Sequence, residues 1–455
     1  MIPTLNIFYY IFFSIVKELM RIINLNNIQK ILYFFILIFP LIIILKSAAI
    51  NITLFLISFI SVFLVIKKKT YFFFKDYFVL FIIFFFFFIF INTILNFYNL
   101  ENVIKSLGIY RYLFLSFAVF LTLENISKKH FSLFIYLNCI LLILVGLDIF
   151  YQYNFNKNIF GFLPGMCESN FSNCIRFSGV FGSELIAGSY ISQIGLLFFF
   201  LIKHENFQKN SNYQNIINIF LFFIFLTVLL TGERNALLIF LICIFLFYFF
   251  CKKIINFLII CFISLVILLL IAQNSHSIKS RYLNFLDVSV STKDSSFKEK
   301  ITTVPWYYHY KAATELFIKK PLIGHGYKSF RLKCSQTKID KKLIENPKEY
   351  KGYRGCSTHP HNYMMEFLSE NGLIGFIFFI FFIIIILFKI LEVTKYHKNK
   401  YNYLLIGIGS LMLAILFPLK PSGSFFTTFN ASILFYLLGF FLYYAKKKNF
   451  KKKSY

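Results

Sequence analysis

Four short polar segments interrupt a chain that is otherwise strongly apolar, and each carries side chains able to do chemistry. RFSGVFGSELIAG, residues 176–188, opens on Arg176 and carries Glu184 about two turns farther on. TGERNALL, residues 231–238, sets Glu233 beside Arg234, PLIGHGYKSFR occupies 321–331, and CSTHPHNYMMEFLSENGLIG, 356–375, holds His359, His361 and Asn362. An arginine fork makes two parallel hydrogen bonds to a phosphate and stays charged. A neutral imidazole accepts a proton at physiological pH. Each segment also has a purely structural reading: Arg176 snorkelling at an interface, Arg234 capping a hairpin by pairing with Glu233, Gly-His-Gly as a tight turn, His361 as a hydrogen-bonding residue. Gly-His-Gly lacks the Gly-Lys-Ser/Thr ending of a phosphate loop. His359 and His361 straddle a proline with no third ligand at useful spacing, so no metal site is expected there.

The elements that must position these residues are membrane helices. Of 455 residues 58% are hydrophobic, 67 are Phe and only 15% are charged, which leaves a water-soluble fold too little polar surface to cover itself. Apolar runs fall near residues 31–45, 48–66, 77–98, 107–123, 131–150, 179–202, 216–231, 235–250, 254–272, 372–391, 403–419 and 426–444. The expected fold is all-α and polytopic, with about 12 transmembrane helices. In that map Glu184 is buried in the sixth span. The shorter run 5–16, followed by Lys17, Glu18 and Arg21, reads as a helix on the membrane surface, and the absence of a small-residue cleavage site argues against a removed signal peptide.

The charge of +28 could suggest nucleic acid, but its placement reports orientation instead. With the N-terminus inside, the cytoplasmic segments hold 23 of the 47 Lys and Arg and the short outer loops with adjoining span ends hold 7. The other 17 lie in the polar segment 273–362, long enough to cross despite its charge. Both termini are therefore expected in the cytoplasm, with the basic tail 445–455 against anionic lipid. The corresponding divisions are an interfacial N-terminus 1–30, helices one to nine over 31–272, a large helical outer loop 273–371 between helices nine and ten, helices ten to twelve over 372–444, and the tail. Cys334 and Cys356 share the large loop and Cys167 and Cys174 share a smaller one, so an oxidising exterior would pair them locally.

In order and spacing, the four segments resemble the O-antigen ligase and polymerase superfamily of bacterial membrane glycosyltransferases, whose large periplasmic loop lies between the ninth and tenth of twelve helices. TGERNALL is similar to that family's small-residue, Arg, Ala-Leu stretch. HYKAATELFIKKPLIGHGYKSFR and THPHNYMMEFLSENGLIG resemble the two ends of its loop. Two departures stand out. The pattern of His-Asn, nine residues, Gly, then a small residue or Tyr four later is met through Gly372, but Phe376 holds the last position. Trp306 stands where many relatives have an Arg, so Arg281 or His309 would have to supply that cation.

The resemblance implies a glycan donor carried on undecaprenyl diphosphate, since no nucleotide pool exists outside the cytoplasm, and an acceptor hydroxyl, with lipid A-core leading. The leaving diphosphate develops negative charge. No Asp-x-Asp or Glu-x-Asp motif occurs, so metal-independent catalysis without a cofactor is expected. The site is then Arg176 and Arg234 on the diphosphate and His361 as base, with Asn362, Glu233, His309 and Arg281 in support. The bacterial inner membrane is the expected location, with the bilayer and lipid-linked glycan as partners and no nucleic acid. A polymerase of lipid-linked repeat units is the alternative, then protein O-glycosylation. A flippase of lipid-linked glycans is the reading from another class, and it would need paired half-repeats or broken helices near the midplane.

Overall fold

A computed structural model describes residues 27–68, 73–167, 174–205, 211–283, 305–346, 354–395 and 400–452. The expected surface helix over 5–16, most of the interfacial segment 1–30 and the loop residues 284–304 lie outside the described residues. The principal helices are α1 (Asn27–Leu37), α2 (Phe39–Ile44), α3 (Lys46–Lys68), α4 (Tyr77–Leu95), α5 (Leu100–Leu107), α6 (Tyr110–Asn125), α7 (Lys128–Phe155), α8 (Ala187–Glu205), α9 (Ser211–Leu230), α10 (Arg234–Phe250), α11 (Ile254–Asn274), α12 (Pro305–Lys319), α13 (Lys338–Glu345), α14 (Tyr363–Thr394), α15 (Lys400–Ile415) and α16 (Thr428–Lys452). A two-stranded antiparallel ribbon pairs β1 (Met166–Cys167) with β2 (Cys174–Arg176) and registers Cys167 opposite Cys174. The side chains of both cysteines lie outside the described residues.

Eight helices among the described residues are long and apolar enough to cross a membrane. At the other expected positions lie α1 with α2, α8, α10 and α15, which are shorter or more polar. The core is formed where α6 packs on α3 and α16, and α8 on α9 and α15. It is filled by residues such as Phe117, Phe198, Phe200 and Tyr436. The outer helices face the other way: α3 exposes Phe55 and Phe59, and α11 exposes Ile255 and Phe262. Such apolar surface would drive aggregation in water, and a bilayer is the solvent it fits.

Two spans differ from the sequence reading. The run 31–45 is broken at Ile38, with Pro40 in the first turn of α2, because proline donates no backbone hydrogen bond. The span expected from 179 begins only at Ala187. Gly179 and Gly182 take φ +52° and +61°, left-handed conformations that end any helix there. Glu184 is therefore not buried two turns into a span; it sits half-exposed in the entry loop.

Connectivity puts the polar segments at one end of the bundle. Helices α9 to α11 alternate direction, so the α9–α10 turn and the C-terminus of α11 share that end. Arg281 Nε donates to Gly232 O at 3.0 Å across it. The chain returns through α12 and α13 to the start of α14, where Asn362 Nδ2 donates to Pro418 O at 2.7 Å, beyond the C-terminus of α15.

Candidate active site

Two clusters form at this end. The first is built on the turn between α9 and α10. Gly232 has φ +68°, and a Cβ there would meet Ile175 O at 2.4 Å, so glycine lets the turn close against β2. Phe177 N also donates to Thr231 O at 3.2 Å. This holds Arg176 against the turn, with Nη2 3.8 Å from Glu233 Oε1 and donating to Leu185 O at 3.2 Å. Glu233 does not serve Arg234 in the way first considered. Its carboxylate accepts from Gly188 N at 2.9 Å, Ser189 N at 3.2 Å and Ser189 Oγ at 3.0 Å. It thereby caps α8, whose first N–H groups have no helical partner and whose dipole favours an anion. Burial pushes the Glu233 carboxyl up, opposed by Arg176 and these hydrogen bonds.

Arg281, in the turn of π-helix Lys279–Leu283 after α11, joins the same group. Burial first, then the charges of Arg234 and Arg176, pull it down to about 10. Three guanidiniums thus share one partly buried site with Glu233. Arg176 Nε is buried without a hydrogen-bond partner among the described residues. The helix that begins at Arg234 fixes that residue next to the turn, as the spacing in TGERNALL requires.

The second cluster is of imidazoles. His361 lies 4.2 Å from His359 and 5.2 Å from His309, ring centre to ring centre. His309 Nδ1 donates to Gly355 O at 3.2 Å. His361 has φ +58°, a conformation uncommon outside glycine, and its carbonyl accepts from Ser422 N at 2.9 Å and Tyr310 Oη at 3.5 Å. Asn362 caps α14 through Met365 N at 3.2 Å. Burial, then His309, pull His361 down to about 4; burial and its charged neighbours bring His359 to about 4 as well. Both are neutral proton acceptors at neutral pH. The guanidiniums gather at the α9–α10 turn and the imidazoles on α12 and the segment before α14, so donor and base candidates stand as two clusters at one end of the bundle. Among the described residues no set of three His, Cys, Asp or Glu side chains is arranged to hold a metal ion.

The third segment docks on the helix that follows the second cluster. Gly372 breaks α14 with φ +63°. Leu373 N and Ile374 N, freed by the break, donate to Pro321 O at 2.7 Å and Leu322 O at 3.2 Å. Gly324 lets this turn approach α14: a Cβ there would lie 2.5 Å from Glu370 C. Gly-His-Gly is thus a tight turn docked on the break in α14, and His325 Nε2 donates to Leu316 O of α12 at 2.9 Å. Glu370 accepts from Lys328 N at 2.7 Å and Phe330 N at 3.2 Å, while Glu366 accepts from Phe425 N at 2.9 Å and from Ser424 Oγ. Cys334 and Cys356 are joined, Cα atoms 4.9 Å apart, tying the turn after Arg331 to the segment that carries His361.

Sequence reasoning missed Glu366 and Glu370, whose i, i+4 spacing puts them on one helix face, and counted Lys420 only as a charge. Lys420 is 3% exposed in the loop between α15 and α16, its Nζ 5.0 Å over the Tyr363 ring.

The fold and site define a polytopic helical membrane protein with a cluster of guanidiniums and a cluster of imidazoles at one end of its bundle. Residues 219–380, which carry Arg234, Arg281, His309 and His361, match the O-antigen ligase family. That family is one of glycosyltransferase-type membrane enzymes acting on lipid-linked glycans. No curated protein matches the chain. Arg176 and Lys420 lie outside the matched segment and reach it only through the fold.

Proposed function

We propose that the protein transfers a glycan from undecaprenyl diphosphate to an acceptor hydroxyl at the periplasmic face of the bacterial inner membrane, ligation to lipid A-core being the reaction. The observation that carries this is the gathering of Arg176, Arg234 and Arg281 at the α9–α10 turn, where Glu233 pairs with Arg176 and Arg176 Nε is left without a hydrogen-bond partner among the described residues. Three like charges held together repel one another, and a diphosphate relieves that repulsion while satisfying the free donor. In the reaction the acceptor oxygen attacks the anomeric carbon, the bond from that carbon to the diphosphate breaks, and His361 takes the acceptor proton. The guanidiniums neutralise the charge that develops on the leaving group, so the step needs no metal. Glu233 orients Arg176; Asn362 and His309 fix His361; Arg281 supplies the cation absent at Trp306. The polar end of the bundle faces the periplasm, both termini face the cytoplasm, and the twelve-span division with the loop 273–371 follows.

Lipopolysaccharide from a deletion strain tests the reaction. Bare core with accumulated polymer is expected; core bearing a single repeat unit would make the protein a polymerase instead. With purified protein, His361→Ala should slow transfer by about 10² to 10⁴ while donor lipid still binds. Arg234→Lys should lose most activity despite keeping its charge, because an ammonium cannot reproduce the bidentate fork. Transfer by His361→Ala at the wild-type rate, or loss of wild-type activity on chelation with recovery by Mg²⁺, would refute this mechanism.

A further inference from the structure

The loop between α15 and α16 wraps the imidazole cluster. Pro418 O and Lys420 O accept from Asn362 Nδ2 at 2.7 and 3.4 Å, Ser422 N donates to His361 O at 2.9 Å, and Glu366 holds Ser424 and Phe425. Every one of these contacts leaves the Lys420 ammonium unused. Lys420 is 3% exposed, and among the described residues its Nζ meets only the face of Tyr363, at 5.0 Å. The Glu366 oxygens are taken by Ser424 Oγ and Phe425 N, and among the described residues Lys420 makes no ion pair. Ser422, two residues on, is 5% exposed, and its Oγ is likewise buried with no hydrogen-bond partner among the described residues.

A buried cation is retained only where something compensates it, and a buried hydroxyl is nearly always hydrogen-bonded. A fold that needed only an apolar plug here would be served as well by a side chain of similar length without the charge. The compensating group must be anionic and must accept from both an ammonium and a hydroxyl, and a phosphate does both. Burial alone pulls the ammonium down to about 8, as it would for a group awaiting its counter-charge.

We infer that Lys420, with Ser422, binds a phosphate group of a glycolipid substrate on the imidazole side of the site, apart from the guanidinium cluster. This rests on the glycosyltransferase reading and adds to it a second phosphate contact beside the base. Two sources supply that chemistry: the diphosphate of the donor, reached as its glycan lies against His361, and a phosphate borne by the acceptor glycolipid.

Full-length protein in nanodiscs tests it with Lys420→Met and Lys420→Arg. Without substrate, Lys420→Met should melt at or above the wild-type temperature, since a buried charge has been removed. Its KM for the phosphate-bearing substrate should rise about tenfold or more with kcat changed less, and Lys420→Arg should recover most of that loss. A rise in donor KM assigns the donor diphosphate. A rise in acceptor KM that disappears when the acceptor is enzymatically dephosphorylated assigns the acceptor. A Lys420→Met protein that melts lower or fails to fold overturns the inference, because the ammonium then has its partner within the fold; unchanged KM for both substrates overturns it too. Amine labelling of wild-type Lys420, read by mass spectrometry with and without inorganic diphosphate, separates the two readings. Protection without any glycan transfer would leave the site standing and remove the glycosyltransferase reading. Transfer with neither protection nor a KM change would do the reverse.

Discussion

Removing the Glu233 carboxylate should disable the guanidinium site and loosen the helix behind it. In Glu233→Ala, Gly188 N and Ser189 N, bonded at 2.9 and 3.2 Å, lose their acceptor at the start of α8. Each buried donor left unmade costs about 1–3 kcal/mol, less where water enters. The ion pair with Arg176, at 3.8 Å with the carboxylate side chain 6% and the arginine 19% exposed, is also broken. At an effective dielectric near 20 the Coulomb attraction at this distance is about 4 kcal/mol, of which the desolvation of both ions cancels a large part. Together these give a destabilisation of about 3–5 kcal/mol for Glu233→Ala. Glu233→Gln keeps one acceptor oxygen and should lose about 1–2 kcal/mol, mostly the charge. Thermal unfolding in nanodiscs at a fixed scan rate should order the melting temperatures wild type, Gln, Ala, and transfer activity should fall in the same order. If the carboxylate acts through Arg176, Arg176→Met combined with Glu233→Ala should cost clearly less than the two changes summed. Additive effects, or a Glu233→Ala protein with wild-type melting and activity, would refute the assignment of Glu233 as the residue that holds Arg176.

Three further outcomes follow from the loop and the imidazoles. In the unfolded chain His325, His359 and His361 titrate near 6.5 and in the fold near 4, so between those values the unfolded chain binds more protons. Stability should therefore rise with pH across that window and be lost as pH falls through it, and the acid limb of kcat/KM should lie below about pH 5; a limb centred at 6.5 or above would contradict the buried, neutral His361. Gly372→Ala should abolish folding of the loop end, because its Cβ would lie 2.4 Å from Leu322 O at a φ of +63°; limited proteolysis near 321–331 should become fast. Reducing the Cys334–Cys356 bond, which closes a separation of 22 residues, should cost about 3 kcal/mol and lower the melting temperature, whereas an equal melting temperature with and without reductant would show the bond contributes nothing.

Composition and hydropathy by themselves determined that this is a helical membrane protein, because 67 Phe among long apolar runs have no other solvent. The local order of TGERNALL and HPHN likewise marked Arg234 and His361, since a turn and a helix cap need neighbours only a few residues away. Other features depended on chain segments hundreds of residues apart. Arg281 could be offered for the absent arginine, but only the packing of α11 beside the α9–α10 turn placed it with Arg234. Glu233 looked like a partner for Arg234 because they adjoin in sequence; its carboxylate instead caps a helix that begins 46 residues earlier at Ala187, where unpaired N–H groups attract it more strongly. Lys420 was one cation among 47 until the fold buried it over Tyr363, with no ion pair among the described residues. Periodicity reports which residues avoid water, a property each short segment carries alone. Which charges meet is decided by how the helices pack, and that is fixed by the whole core at once.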